Sequence, residues 1–427
     1  MRELENLMSQ PASRPSTHLP VEDSRIGLRS LLHNEALGTW PRQPPLLRAL
    51  AVLLVLQTAT HAEPYLAVQY GLKCSQCHYN PTGGGKRNSF GTIFAQTKLP
   101  SKVLSATDLG SFLGLRESDS KDENGTADSS AGSTFYSGYP TSFLSLGGDF
   151  RFNYQSTFGP NGSANSFRIS EGQLYGSLEF YEGAISLYLD ETVAPGGATA
   201  REAFGLLRGP WESYLKAGRI LLPYGLRLQD DSAFIREITG FNFGVQDLGV
   251  ELGLEPGPWS ISTAVSNGSQ GSADDNKDKQ VTGMASFIQR HWRLGTQASW
   301  NNTSAARRVA VGGFAGVNIG QVSLLGEIDY LMDYLESLPG DPRVSQLLLY
   351  GAVNYQLFKG VNLRFAYDFA DPDTTVSEDS FIRVSTGVQW FPIQFVEIRA
   401  FYRFRDDTET SLLDDESMLD FELHLFF

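Results

Sequence analysis

The residues best suited to chemistry in this chain are Cys74, Cys77 and His78, in the run Lys73-Cys74-Ser75-Gln76-Cys77-His78. The spacing C-x-x-C-H is that of a c-type haem attachment site. Each thiol adds its S–H across a vinyl group of the macrocycle, so a C–S bond replaces a C=C π bond and no oxidant is needed. The following histidine then reaches the iron from the proximal side. A short turn must therefore present two thiols and one imidazole to the same face of a flat group. The sequence holds two cysteines in total, and both are in this run. A redox disulfide of thioredoxin type would need a surrounding β-α-β pattern, which is not there. A zinc site would need four ligands, and Cys74, Cys77 and His78 supply three.

The elements around the motif are sparse. Residues 63–100 are too short a segment to build a core without a crosslink, a metal group or a partner surface. Gly83-Gly84-Gly85 permits close backbone approach. Lys86 and Arg87, directly after it, would contact the haem propionates or lie solvated on a loop. The segment carries neither a second histidine nor a methionine. For a sixth iron ligand the rest of the chain after residue 62 offers His291, His424, Met284, Met332 and Met418. His424 is favoured because strand alternation turns it inward, with His291 as the other candidate. An open position or a weaker ligand are the remaining possibilities.

Upstream, residues 1–62 read as a polar leader followed by an export signal. Arg42 and Arg48 precede the apolar run 49–56, and Thr60-His61-Ala62 is a small-residue cleavage site. Residues 101–141 form a polar Ser/Gly/Asp-rich stretch without periodicity, read as a linker or plug. The net charge of −14 argues against nucleic acid as a partner.

Residues 142–427 alternate in hydrophobicity in segments of about ten residues, the pattern of a transmembrane β-barrel. Leu144, Leu146, Phe150, Phe152 and Tyr154 alternate with Asp149, Arg151, Asn153 and Gln155. Leu363, Phe365 and Tyr367 alternate with Asn362, Arg364 and Asp368. The charged face over many strands suits a water-filled lumen. The fold expected is all-β: an antiparallel barrel of about 16 strands behind a small haem-binding segment. Short turns alternate with long connections, among them 192–200, 221–242 and 267–279, so both barrel ends of the chain lie on the periplasmic side. Leu419, Phe421, Leu423, Leu425 and Phe427 make an apolar terminal strand with a C-terminal Phe. It is similar to the signal that outer-membrane assembly machinery reads.

The run Ala217-Gly218-Arg219-Ile220-Leu221-Leu222-Pro223-Tyr224-Gly225, with Asp230-Asp231-Ser232-Ala233-Phe234-Ile235-Arg236, resembles the strand-and-loop signature of phosphate-selective-type porins. The order of signal peptide, single C-x-x-C-H and porin resembles the fused outer-membrane cytochrome–porins of iron oxidisers. That resemblance implies a Gram-negative outer membrane, an electron-transfer role rather than conventional enzyme chemistry, and one covalent haem on Cys74, Cys77 and His78. It implies as partners outer-membrane lipid, an extracellular electron donor or acceptor, and a periplasmic c-type cytochrome or similar protein. The competing expectation is a solute-selective porin whose haem segment is a structural or gating plug, with Arg151, Arg364, Arg383, Arg399 and Arg403 lining an anion path. A redox or gas sensor with an open iron site is a third.

Overall fold

A computed structural model describes residues 63–105, 136–159, 162–271, 274, 276–303, 306–335, 340, 342–407 and 416–427. The leader with its export signal, and residues 106–135 of the polar stretch, lie outside the described residues.

Alternation decides the architecture. Sixteen antiparallel strands, β1 (Leu144–Gly159) through β16 (Glu416–Phe426), close into one barrel in which every strand pairs with its sequence neighbours and β1 pairs with β16. Closure leaves no strand edge unpaired, which a lipid-embedded sheet requires. The β1–β16 register sets Arg151 opposite His424 and Asn153 opposite Glu422. In β6 (Asp247–Leu254), Leu248, Val250, Leu252 and Leu254 face outward while Asp247 and Glu251 are buried inside. Repeated around the barrel, this gives an apolar outer wall and a charged inner one, the inverse of a soluble sandwich. Exposed aromatics stand beside the short turns, among them Trp211, Trp259, Trp292, Phe358 and Trp390. They form the girdle expected at one membrane interface.

The short connections are tight turns, among them those at Glu182-Gly183, Pro256-Gly257-Pro258, Arg290-His291 and Lys359-Gly360. Two connections stand out at the other end. β1 and β2 (Gly162–Phe180) continue as a ribbon until Gly159 pairs with Gly162, with no long loop between them. The connection from Ile220 to Asp247, expected as an outer loop, turns into the barrel. Its Tyr224 hydroxyl donates to Asp329 at 2.8 Å and its Leu226 N–H donates to Glu327 at 2.8 Å. The physical reason is its composition. Ile220, Leu221, Tyr224, Leu226, Leu228, Phe234 and Ile235 are all buried, and an outer loop would leave them in water.

The second insertion is the segment 63–105, whose three short helices are α1 (Pro64–Tyr70), α2 (Cys74–Cys77) and α3 (Ser89–Thr97). It enters the lumen from the end with the short turns. Gly71 lies against Arg290 in the turn after β8 (Gln280–Gln289), and Ser101 and Lys102 donate to the carbonyls of Phe391 and Pro392. The lumen at this level is therefore filled, not aqueous. Tyr65, Val68, Tyr79, Tyr188, Phe204, Leu226 and Ile235 share one apolar core inside the barrel. Many of the inner-wall charges are paired. Lys216 meets Glu251 at 2.7 Å, Arg383 meets Asp368 at 2.9 Å, and Arg364 meets Glu63 of the segment at 3.2 Å.

Candidate functional site: a cysteine–histidine cavity in the lumen

The geometry around the cysteines comes from local rules. Pro64 starts α1, and Gly71 ends it in a left-handed conformation, φ 65°. Lys73 then caps the single turn α2, with its Nζ held by the Glu255 carbonyl and by Glu212 at 3.5 Å. Asn88 locks the next turn. Its Oδ1 accepts from the Gly91 N–H at 3.0 Å, capping α3, while its Nδ2 donates to the carbonyls of Ser75 and Gln76 at 3.1 Å. Between the two helices the chain folds back, with the Tyr79 N–H on the Lys86 carbonyl and the Asn88 N–H on the Cys77 carbonyl, each at 3.0 Å.

The three glycines sit in the loop this creates. All have positive φ, and an added Cβ would lie 3.2 Å from Cys74 Sγ at Gly83, 2.5 Å from the Phe243 ring at Gly84 and 2.3 Å from the Tyr188 hydroxyl at Gly85. Glycine is required there on both counts. The loop is riveted to the wall by polar contacts. Asn80 donates to Glu202 at 3.0 Å and accepts from Lys216 at 2.9 Å, and the Lys86 N–H donates to Tyr188 at 2.9 Å.

Cys74, Cys77 and His78 line one cavity of about 800 Å³, enclosed between the segment, the inturned loop and the barrel wall. Both cysteines are free thiols. Burial pushes the Cys77 thiol up to about 11, so it is protonated. His78 is buried, and burial together with the Arg87 charge pulls its imidazole down to about 3. The ring is neutral, and its Nδ1 lies 3.3 Å from the Gly85 carbonyl. With the proton on Nδ1, Nε2 keeps its lone pair, the tautomer in which a histidine binds iron.

The remaining wall is apolar with cationic edges. Leu66, Leu72, Phe94, Leu99 and Leu226 supply the apolar surface, and Arg87, Arg227 and Arg293 the charge. Arg293 Nε is buried without a hydrogen-bond partner among the described residues. A flat apolar group with two carboxylates fits this donor set: the thiols and imidazole on one side, the guanidinium groups of Arg87, Arg227 and Arg293 for the anionic edge. The sequence reading named Arg87 and Lys86 for that edge. Arg87 lines the cavity. Lys86 does not; its Nζ donates to the Arg87 carbonyl at 3.0 Å and lies over the Tyr79 ring, and burial pulls its ammonium down to about 7. Arg227 and Arg293 went unassigned as cavity residues, because nothing in local spacing links positions 150 or more residues from the cysteines; Met284, named among the candidate iron ligands, does line the cavity.

The two histidines named for the sixth position are elsewhere. His424 is buried in the β16 wall, with its Nδ1 on Glu397 and its Nε2 3.1 Å from Asp149. His291 is exposed in the turn after β8.

A second space of about 1630 Å³ opens at the end with the longer connections. Arg151, Arg201, Arg219, Arg399 and Arg403 line it beside Glu171, Asp230, Asp420 and Glu422. Of the arginines expected along an anion path, Arg151, Arg399 and Arg403 line this vestibule. Arg364 and Arg383 are held by Glu63 and Asp368. Phe243 of the inturned loop lines it too, and the same ring abuts Gly84.

No family model matches the chain, and no curated protein does. Among solved structures it is similar to outer-membrane porins. The anion-selective porin from Comamonas acidovorans aligns with a TM-score of 0.56 and 11% identity over 66% of this chain and 99% of that one. OmpT of Vibrio cholerae gives 0.54 and 9% over 67% and 100%. The outer-membrane channel DcaP of Acinetobacter baumannii gives 0.50 and 10% over 68% and 99%. At such identities the likeness shows the fold, which is the closed 16-strand antiparallel barrel of outer-membrane porins.

Proposed function

We propose that this porin-type barrel holds one covalent c-type haem in its lumen and carries electrons across the outer membrane. The observation that carries the reading is the cavity in which Cys74, Cys77 and His78 meet three arginines and an apolar wall inside the barrel. When bound, the group supplies one-electron chemistry that a β-barrel alone lacks. The chain's own residues do the rest. Cys74 and Cys77 anchor the edge of the macrocycle, neutral His78 offers Nε2, and Arg87, Arg227 and Arg293 neutralise the carboxylates. The segment 63–105 and the inturned loop exclude water from the site. Phe243 separates the cysteine loop from the outer vestibule by one ring, a short path between the two sides. Carriers at either end, one extracellular and one periplasmic, complete the reading.

A second reading is favoured by the likeness to solved channels and by the arginine-rich vestibule: a solute-selective porin with the segment as a gating plug. Two measurements separate them. In intact cells a membrane-impermeant reductant should bleach the ferric spectrum of the protein; an unchanged spectrum rejects the conduit. In liposomes the intact protein should give slow swelling; robust solute flux with no redox phenotype in Cys77→Ala supports the porin.

A further inference from the structure

The geometry points to Met284 as the sixth ligand of the iron, an assignment that rests on the haem reading above. Among the described residues, the imidazole and thioether side chains other than His78 are His291, His424, Met284, Met332 and Met418. Four are removed by position. His291 is exposed in a turn. Both ring nitrogens of His424 are engaged by carboxylates, Glu397 and Asp149. Met332 sits between buried Leu331 and Asp333 on β11 (Val322–Tyr334), so alternation turns it outward to lipid. Met418 lines the outer vestibule and takes a hydrogen bond from Gln155.

Met284 alone of the five lines the cavity that holds Cys74, Cys77 and His78. Its setting is unusual for a wall residue. Thr282 and Ser286, its inward neighbours on β8, are polar and buried, and so are its cross-strand partners Ser262 and Gln297. A lone thioether therefore interrupts a polar inner face where that face meets the cavity. It approaches from the barrel wall, whereas His78 approaches from the inserted segment. Lys73, the other flexible donor on the cavity wall, is tied to the Glu255 carbonyl and Glu212. A His–Met pair makes the haem low-spin and raises its potential, because the soft sulfur favours the ferrous iron.

The barrel thus supplies one of the two protein ligands, and the segment without its barrel would have an open iron position. The test uses the full-length protein in detergent, beside Met284→Leu, Met284→His and Met418→Leu. Wild type should show the far-red sulfur-to-iron charge-transfer band when ferric, and the ferrous form should bind carbon monoxide slowly. Met284→Leu should lose the band, bind carbon monoxide readily and shift to a lower midpoint potential. Met284→His should restore a low-spin spectrum without the band, and Met418→Leu should match wild type. A coloured Met284→Leu protein with wild-type spectrum and carbon monoxide reactivity overturns the assignment alone. A colourless wild-type protein overturns the haem reading and this assignment with it.

Discussion

Two of the spaces in the lumen have opposite character. The inner one is about 800 Å³, walled by apolar side chains, and its arginines outnumber its carboxylate, Glu63. The outer one is about 1630 Å³, and its arginines alternate with acids close enough to pair, as Arg151 with Glu422 at 2.7 Å and Arg201 with Glu171 at 2.9 Å. Paired charges in an open polar space suit solutes that keep their water. Buried cations without enough partners suit a resident anionic group, since leaving them uncompensated is costly. On the proposed function, the same barrel wall would hold a fixed ligand at one end and leave a hydrated space at the other.

The largest expected effect breaks the inner space alone. Cys77→Ala should abolish covalent haem in a denaturing gel stained for peroxidase activity, while the heat-modifiable mobility of the folded barrel stays. Retained stain at wild-type intensity would mean that the thioether at Cys77 is not needed. Lys216→Met strikes the rivet between loop and wall. Lys216 pairs with Glu251, both fully buried, and donates to Asn80. Removing it should cost about 3–5 kcal/mol, read as a lower denaturation midpoint, because Glu251 is left buried without its cation. Adding Glu251→Gln should recover part of the loss.

Gly91→Ala comes next. An added Cβ would lie 2.1 Å from the Cys77 carbonyl, which is backbone and cannot swing away. Pushing α3 off the cysteine turn should cost about 1–3 kcal/mol and lower the haem content per barrel. Undiminished pigment in a correctly folded variant would show that the two helices need not touch. The smallest effect sharpens the contrast from the other side. Arg403→Gln removes a vestibule cation that faces Asp230 and Asp420. It should change ion selectivity in planar bilayers and leave the visible spectrum untouched; a spectral shift would mean the two spaces are not independent.

Much of this was legible in the residues themselves. Period-two alternation such as Leu419-Asp420-Phe421-Glu422-Leu423-His424 carries strand, facing and closure at once, and the sixteen strands follow. The motif at Cys74 to His78 is local, so its turn was legible as well. What was not legible is held together by long-range contact. Alternation places His424 inward correctly, yet cannot say that Asp149 and Glu397 already occupy its nitrogens. The connection 221–242 was read as an outer loop from its length, although its buried apolar residues carried the opposite signal. Arg293 and Met284 reach the cavity through barrel curvature, a property of closure that no window of sequence contains.

The most direct test is the visible spectrum and denaturing haem stain of the full-length protein, produced in a host that matures c-type cytochromes and purified from its outer membrane. The prediction is a coloured protein whose pigment stays with the polypeptide after denaturation, with one haem per chain. A folded, colourless barrel with the mass of the bare polypeptide would contradict it, and would leave the inner cavity as part of a plugged solute channel.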